Sequence, residues 1–95
     1  MQGTYSQEQI EKIQEYAGDL MLPNQIAILL DLDEMQFKAD IKNPLSPIYK
    51  AYHKGKTITI HEIRSQEVKL AKASSPMAVE LTERYIADMD MYENA

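Results

Sequence analysis

PNQIAILLDLDEMQFKADI, residues 23–41, decides the fold. Its apolar residues fall where two short helices joined by a tight turn would bury them. Ile26, Ala27 and Leu30 share one face of the first helix, Leu32 plugs the turn, and Phe37 and Ile41 stand one turn apart on the second. This spacing predicts a helix-turn-helix. Ala27 occupies the position where two crossing helices approach closest, and a larger side chain there would push them apart. Pro23 suits a first helical turn, where its missing N–H is no loss and its ring pre-sets φ. Asp31 and Asp33 favour the turn, and either can cap the helix that follows.

Upstream, Ser6 and Gln9 have capping-box spacing and open a first helix whose apolar face carries Ile10, Ile13, Ala17 and Leu20. Glu8, Glu11 and Glu15 fall on its solvated side and suit the helix dipole; nothing around them suggests a cleft for acid–base work. Downstream, KNPLSP ends the second short helix with two prolines in close succession. Ser46 and Pro47 then read as cap and first-turn proline of a long helix over residues 48–73. Ile48, Tyr52, Thr59 and Ile63 mark its thin apolar stripe, joined by Ile60, Leu70 and Ala71 in the second half. TITI, residues 57–60, alternates like a strand, and Gly55 weakens the helix before it. Helix is the better reading, because no second strand is present to pair with it. SSP, residues 74–76, breaks the pattern once more. A last helix over residues 77–92 presents two adjoining stripes, one through Ala78, Leu81, Tyr85 and Tyr92, the other through Leu81, Ile86 and Met89. One stripe can pack on the long helix and leave the other for a subunit or partner.

The expectation is therefore an all-α single domain of 95 residues, with a helix-turn-helix head over residues 5–45 and a helical hairpin over residues 46–92. A core of this size supports only about 5–10 kcal/mol of stability, so an oligomer or partner can contribute. No apolar run reaches the ~20 residues a bilayer requires, and MQGTYSQEQ has neither a basic nor a hydrophobic signal region, which points to the cytoplasm. The lack of cysteine excludes disulfides, thiolate nucleophiles and Cys-ligated metals, and three glycines at 3, 18 and 55 make no phosphate loop. His53 and His61 read as exposed polar residues: HEIRS lacks the second histidine of the zinc motif His-Glu-x-x-His, so neither a metal, a cofactor nor an enzymatic activity is expected.

Charge is segregated along the chain. The net of −5 hides −3 over residues 1–22, −2 over 23–45, +4 over 46–75 and −4 over 76–95. A polyanion would therefore find attraction in the third segment and at Lys38 and Lys42 of the second, which argues against a nonspecific DNA coat.

The run YAGDLMLPNQIAILLDLDEMQFKADIKNPLSPIYKAYHKGK, followed after a long helix by KLAKASSPMAVELTERYI, resembles small phage proteins with a homeodomain-like helix-turn-helix, among them many terminase small subunits. In that group the motif is followed by a proline-bearing link, a long helix with an Ala-Tyr-x-x-Gly-Lys type of segment, and a helix preceded by a small-residue turn. The counterparts here are residues 44–47, 51–56 and 74–78, and the likeness in organisation spans about residues 10–90. The group often has glycine where Asp31 stands and a bulky aromatic where Asp40 stands. The resemblance implies a DNA-recognition subunit of a packaging motor that assembles as a homo-oligomer in the bacterial host cell and hands duplex DNA to a terminase large subunit.

The residues themselves place Gln36, Lys38, Ala39 and Lys42 on the outward side of the second helix of the motif and Asn43 near its end. Glutamine can pair with adenine, and lysine with guanine or phosphate. Lys50 and Lys54, one turn apart on the long helix, form a second basic stripe for flanking phosphates. Asp33, Glu34 and Asp40 would oppose phosphate unless turned away or paired. Such a head binds DNA weakly alone and gains from multiplication. The same scaffold also serves transcriptional regulators and protein-interaction adaptors that touch no DNA.

Overall fold

The structure, a computed structural model, describes residues 5–94. These form five helices, α1 (Gln7–Gly18), α2 (Pro23–Leu29), α3 (Glu34–Asp40), α4 (Tyr49–Lys72) and α5 (Pro76–Glu93), with no strand among the described residues. The chain is all-α, and TITI lies within α4. No helix is long and apolar enough to cross a membrane among the described residues. Two compact units divide the chain, one ending at Thr59 and the other beginning at Ile60, so the boundary falls inside α4.

In the first unit, local chemistry starts α1, α2 and α3. Ser6 Oγ accepts from Gln9 N at 3.1 Å while Gln9 Oε1 accepts from Ser6 N at 2.9 Å, closing the capping box of α1. Pro23 occupies the first turn of α2, and Gln25 Oε1 accepts from the Leu22 N–H at 3.0 Å. Asp33 caps α3 by accepting from Gln36 N at 2.9 Å. Ser46 and Pro47 depart from expectation: α4 begins at Tyr49, so Ser46 is not its cap nor Pro47 its first-turn residue, and the buried Ser46 hydroxyl accepts from Ile48 N at 3.3 Å within the link.

Ile13, Ala17, Ile26, Ala27, Phe37, Ile41, Ile48 and Tyr52 form one buried cluster, with Ile10, Leu30 and Leu32 packed at its edge. Phe37 and Tyr52 meet edge to face, ring centroids 6.2 Å apart. Leu20 departs from expectation. α1 ends at Gly18, two residues earlier than the apolar spacing suggests, and Leu20 stands 47% exposed with φ of +60°.

That φ belongs to a recurring device. Leu20, Asp31 and Ser74 are left-handed residues just past α1, α2 and α4. At each, the residue's own N–H and the next one close the helix: Leu20 N to Ala17 O and Met21 N to Tyr16 O, Asp31 N to Ile28 O and Leu32 N to Ala27 O, Ser74 N to Ala71 O and Ser75 N to Leu70 O. Glycine is the usual occupant of this position, since a Cβ there crowds the carbonyl. Asp31→Gly and Ser74→Gly, both at exposed sites, are each expected to raise stability by about 0.5–1 kcal/mol in urea denaturation. An unchanged or lowered midpoint would mean the side chains contribute more than the strain costs.

α1 and α4 approach closely at Gly55. A Cβ built there would lie 2.1 Å from the backbone oxygen of Gln14. One turn on, the Thr59 hydroxyl donates to the Gly18 carbonyl at the end of α1. The glycine that weakens α4 as an isolated helix is thus where its backbone meets α1.

In the second unit the turn at Ser74 leads into α5, where Ala78 is 2% exposed and the Arg64 guanidinium lies 4.3 Å from the Tyr85 ring centroid. Leu81 and Tyr85 are half-buried, whereas Met77, Ile86, Met89 and Tyr92 are exposed, Tyr92 to 84%.

Candidate nucleic-acid interface

α3 is only seven residues long, and its orientation is set by Phe37 and Ile41, which point into the core. Helical geometry then turns Gln36, Lys38 and Ala39 outward, and all three are exposed.

Of the acidic residues of this segment, Asp33 and Glu34 are exposed and Asp40 is buried. Asp33 is occupied as the cap. Glu34 pairs with Lys38 across one turn, Oε2 to Nζ 2.8 Å, with both side chains about half-exposed. Such a pair is worth only a few tenths of a kcal/mol, so Lys38 can exchange its partner for a phosphate at little cost. Asp40 is turned away from the outward face: it is 4% exposed, with Tyr5 Oη donating to Oδ2 at 2.6 Å and Gln36 Nε2 donating to Oδ1 at 2.9 Å. A buried carboxylate persists only when its oxygens are hydrogen-bonded, and here two donors meet it. Burial, then the hydrogen bond to Asp40, then its negative charge hold the Tyr5 phenol well above its ordinary pKa, so it remains a donor throughout the neutral range.

Sequence reasoning missed Tyr5. Its signal was its place: it directly precedes the capping serine, where an apolar residue commonly packs against the fourth helical residue, here Ile10. Both lie against the core cluster.

Lys42 and Asn43 follow α3 in the turn and are exposed. Asn43 Oδ1 accepts from Leu45 N at 3.1 Å, which assigns its carbonyl to shaping the link. Lys50 and Lys54 are exposed on α4 and flank a shallow depression of about 340 Å³ shared with Ile10 and Gln14 of α1. The α4 side chains that reach α3 are others: Tyr52 against Phe37, and His53, whose Nε2 lies 2.7 Å from the Ile41 carbonyl oxygen. The basic residues therefore fall into two sets, Lys38 and Lys42 with Gln36 along α3, and Lys50 and Lys54 beside α1. His53 is a correction, being half-buried with its ring against Tyr49 and Tyr52, while His61 is exposed as expected. Because a carbonyl only accepts, Nε2 must carry the proton, which makes His53 a clasp between α4 and the end of α3.

A larger depression of about 430 Å³ is lined by Glu11, Glu15 and Asp19 with Gly18, Gly55 and Thr59. Its sign is wrong for a polyanion.

Comparison with protein-family models, curated proteins and solved structures returned no match. The chemistry of the site thus rests on its own residues. Among the described residues no three metal-ligating side chains of His, Cys, Asp or Glu come together. What α3 offers is a broad exposed face with Met35 and Ala39 at its middle, the Gln36 amide on one flank, and the ammonium groups of Lys38 and Lys42 on the other, Lys38 being paired with the half-exposed Glu34.

Proposed function

We propose that the first unit is a homeodomain-like helix-turn-helix head that binds duplex DNA through α3, and that the chain is a non-catalytic DNA-recognition subunit of the kind found in phage terminase packaging motors. The observation that carries this reading is the engagement of every acidic side chain of α3 and its cap. Asp33 caps, Glu34 pairs and Asp40 is buried, and the outward face carries Gln36, Lys38 and Ala39 together with the 82% exposed Met35, with Lys42 beyond. A short helix with a glutamine amide and flanking lysines fits a major groove, where base edges are read and phosphates fix register. Lys50 and Lys54 supply further phosphate contacts.

The exposed Met77, Ile86, Met89 and Tyr92 of α5 favour self-assembly as the second part of this reading, since multiplying a weak head raises avidity by orders of magnitude. The same side chains would serve a terminase large subunit or, in the rival adaptor reading, a partner unrelated to DNA.

The test is a fluorescence-anisotropy titration of duplex DNA across a salt series. Three or four lysine contacts predict a log–log salt slope of about −3. Lys38→Glu with Lys42→Glu is expected to lower the slope by about 2 units and weaken binding more than tenfold. Absence of binding at low salt would reduce the head to a packing unit and leave the adaptor reading. A dimer on a short palindrome would favour an operator-binding regulator.

A further inference from the structure

Gln36 differs from an ordinary exposed glutamine in having one end of its amide committed. Its Nε2 donates to Asp40 Oδ1 at 2.9 Å, and Asp40 Oδ2 accepts from Tyr5 at 2.6 Å. The direction of the amide follows from chemistry: a carboxylate has only acceptors, so the nitrogen end must face it. Because Asp40 is 4% exposed, held from a different part of the chain by Tyr5, the anchor is buried while Gln36 is exposed.

We infer that the Tyr5–Asp40 pair positions the Gln36 amide with Oε1 outward, making Gln36 the specificity-determining residue of α3 and an acceptor-first reader of DNA. This rests on the DNA-binding reading proposed above. An outward carbonyl oxygen accepts from the exocyclic amino groups displayed in the major groove, N6 of adenine and N4 of cytosine, and is repelled by O6 of guanine and O4 of thymine. The second Nε2 proton is still available to adenine N7, so adenine ranks first, cytosine second, and guanine and thymine last on the strand that Gln36 faces. Tyr5 and Asp40 are positioning residues and touch no base.

The experiment selects duplexes from a randomised pool with the full chain and with Gln36→Met and Asp40→Asn, each checked for helical content by circular dichroism. One position is expected to show a preference of about fivefold or more for adenine over guanine and thymine. Gln36→Met should lose it at that position alone. Asp40→Asn offers both a donor and an acceptor, so it lets the amide turn over; the preference should fall below about twofold and guanine should rise, with overall affinity little changed. Loss of affinity without change of preference would be a purely structural effect and would overturn the inference. So would guanine or thymine in first place at the Gln36-dependent position, or an unaltered ranking in Asp40→Asn. If the wild-type chain selects no duplex, the DNA reading falls and takes this inference with it; the other failures leave that reading standing.

A second measurement is independent of whether Asp40→Asn folds. In the wild-type protein, one of the two Gln36 side-chain amide protons should be shifted and slowed in exchange relative to the other glutamines, Gln7 excepted because its Nε2 donates to Glu11 Oε2 at 3.3 Å. Two protons that behave like those of a free side chain would overturn the inference without any DNA present.

Discussion

Gly55→Ala is expected to lower stability by about 2–4 kcal/mol, although alanine is the better helix former by about 1 kcal/mol. The added Cβ would sit 2.1 Å from the Gln14 backbone oxygen and 3.0 Å from its carbonyl carbon. Neither atom can swing aside like the end of a side chain, because both belong to the backbone of α1. Separating the two helices would also strain the Thr59 hydroxyl bond to Gly18 and the packing of Ile13 and Ala17. In thermal unfolding followed by circular dichroism, the midpoint should fall on the order of 10–20 °C. Gly18→Ala is the control: its Cβ would meet the Gly55 oxygen and Thr59 Oγ1 at 3.5 Å each, an ordinary contact, and stability should stay within about 0.5–1 kcal/mol of the parent. If both variants behave alike, the helices do not approach as described.

Phe37→Ala should cost about 3–5 kcal/mol. The ring is 0% exposed, touches Tyr52 edge-on, and joins α3 to the core formed by α1, α2 and the start of α4. Its removal leaves a cavity whose walls come from several elements and cannot all close on it at once. For a domain whose total stability is about 5–10 kcal/mol, that loss runs from about a third to the whole. Urea denaturation should show a midpoint reduced by about a third or more. Phe37→Leu, which keeps most of the apolar volume, should lose distinctly less. Because α3 carries Gln36 and Lys38 to either side of Phe37, the proposed DNA-binding role further predicts that the alanine variant fails to bind duplex DNA. A Phe37→Ala protein as stable as the parent would remove Phe37 from the core and, with it, the orientation assigned to Gln36.

What could be read from the chain beforehand was local. Ser6 with Gln9, Pro23 and Asp33 announce helix starts because each acts within three residues of itself, and Ile13, Ile26, Phe37 and Ile41 announce the core because helical spacing gathers them on inward faces. What could not be read depends on partners far along the chain. Asp40 resembles any solvated acid until Tyr5, 35 positions earlier, is placed against it. His53 resembles a polar helix residue until the Ile41 carbonyl is seen beneath it. Gly55 looks like a flaw in α4 until α1 lies across it. Leu20 was misplaced for a different reason: its apolar spacing continues α1 past the point where the backbone turns left-handed. For the candidate site, the outward positions of Gln36 and Lys38 were legible from α3 alone, whereas the fate of the acids around them was not. In α5 both stripes were visible, but only Ala78 proved buried, with Leu81 and Tyr85 partly covered.

The left-handed residues that end α1, α2 and α4 have an evolutionary consequence. A helix closed by its hydrogen-bond pattern, and not by glycine, carries a side chain at each end, here an aliphatic, an acidic and a hydroxyl one. At Asp31 and Ser74 a single replacement by glycine would return about 0.5–1 kcal/mol. The protein thus holds a latent reserve against mutation: a mild core change costing about 1 kcal/mol could be offset at an exposed helix end, without touching the core.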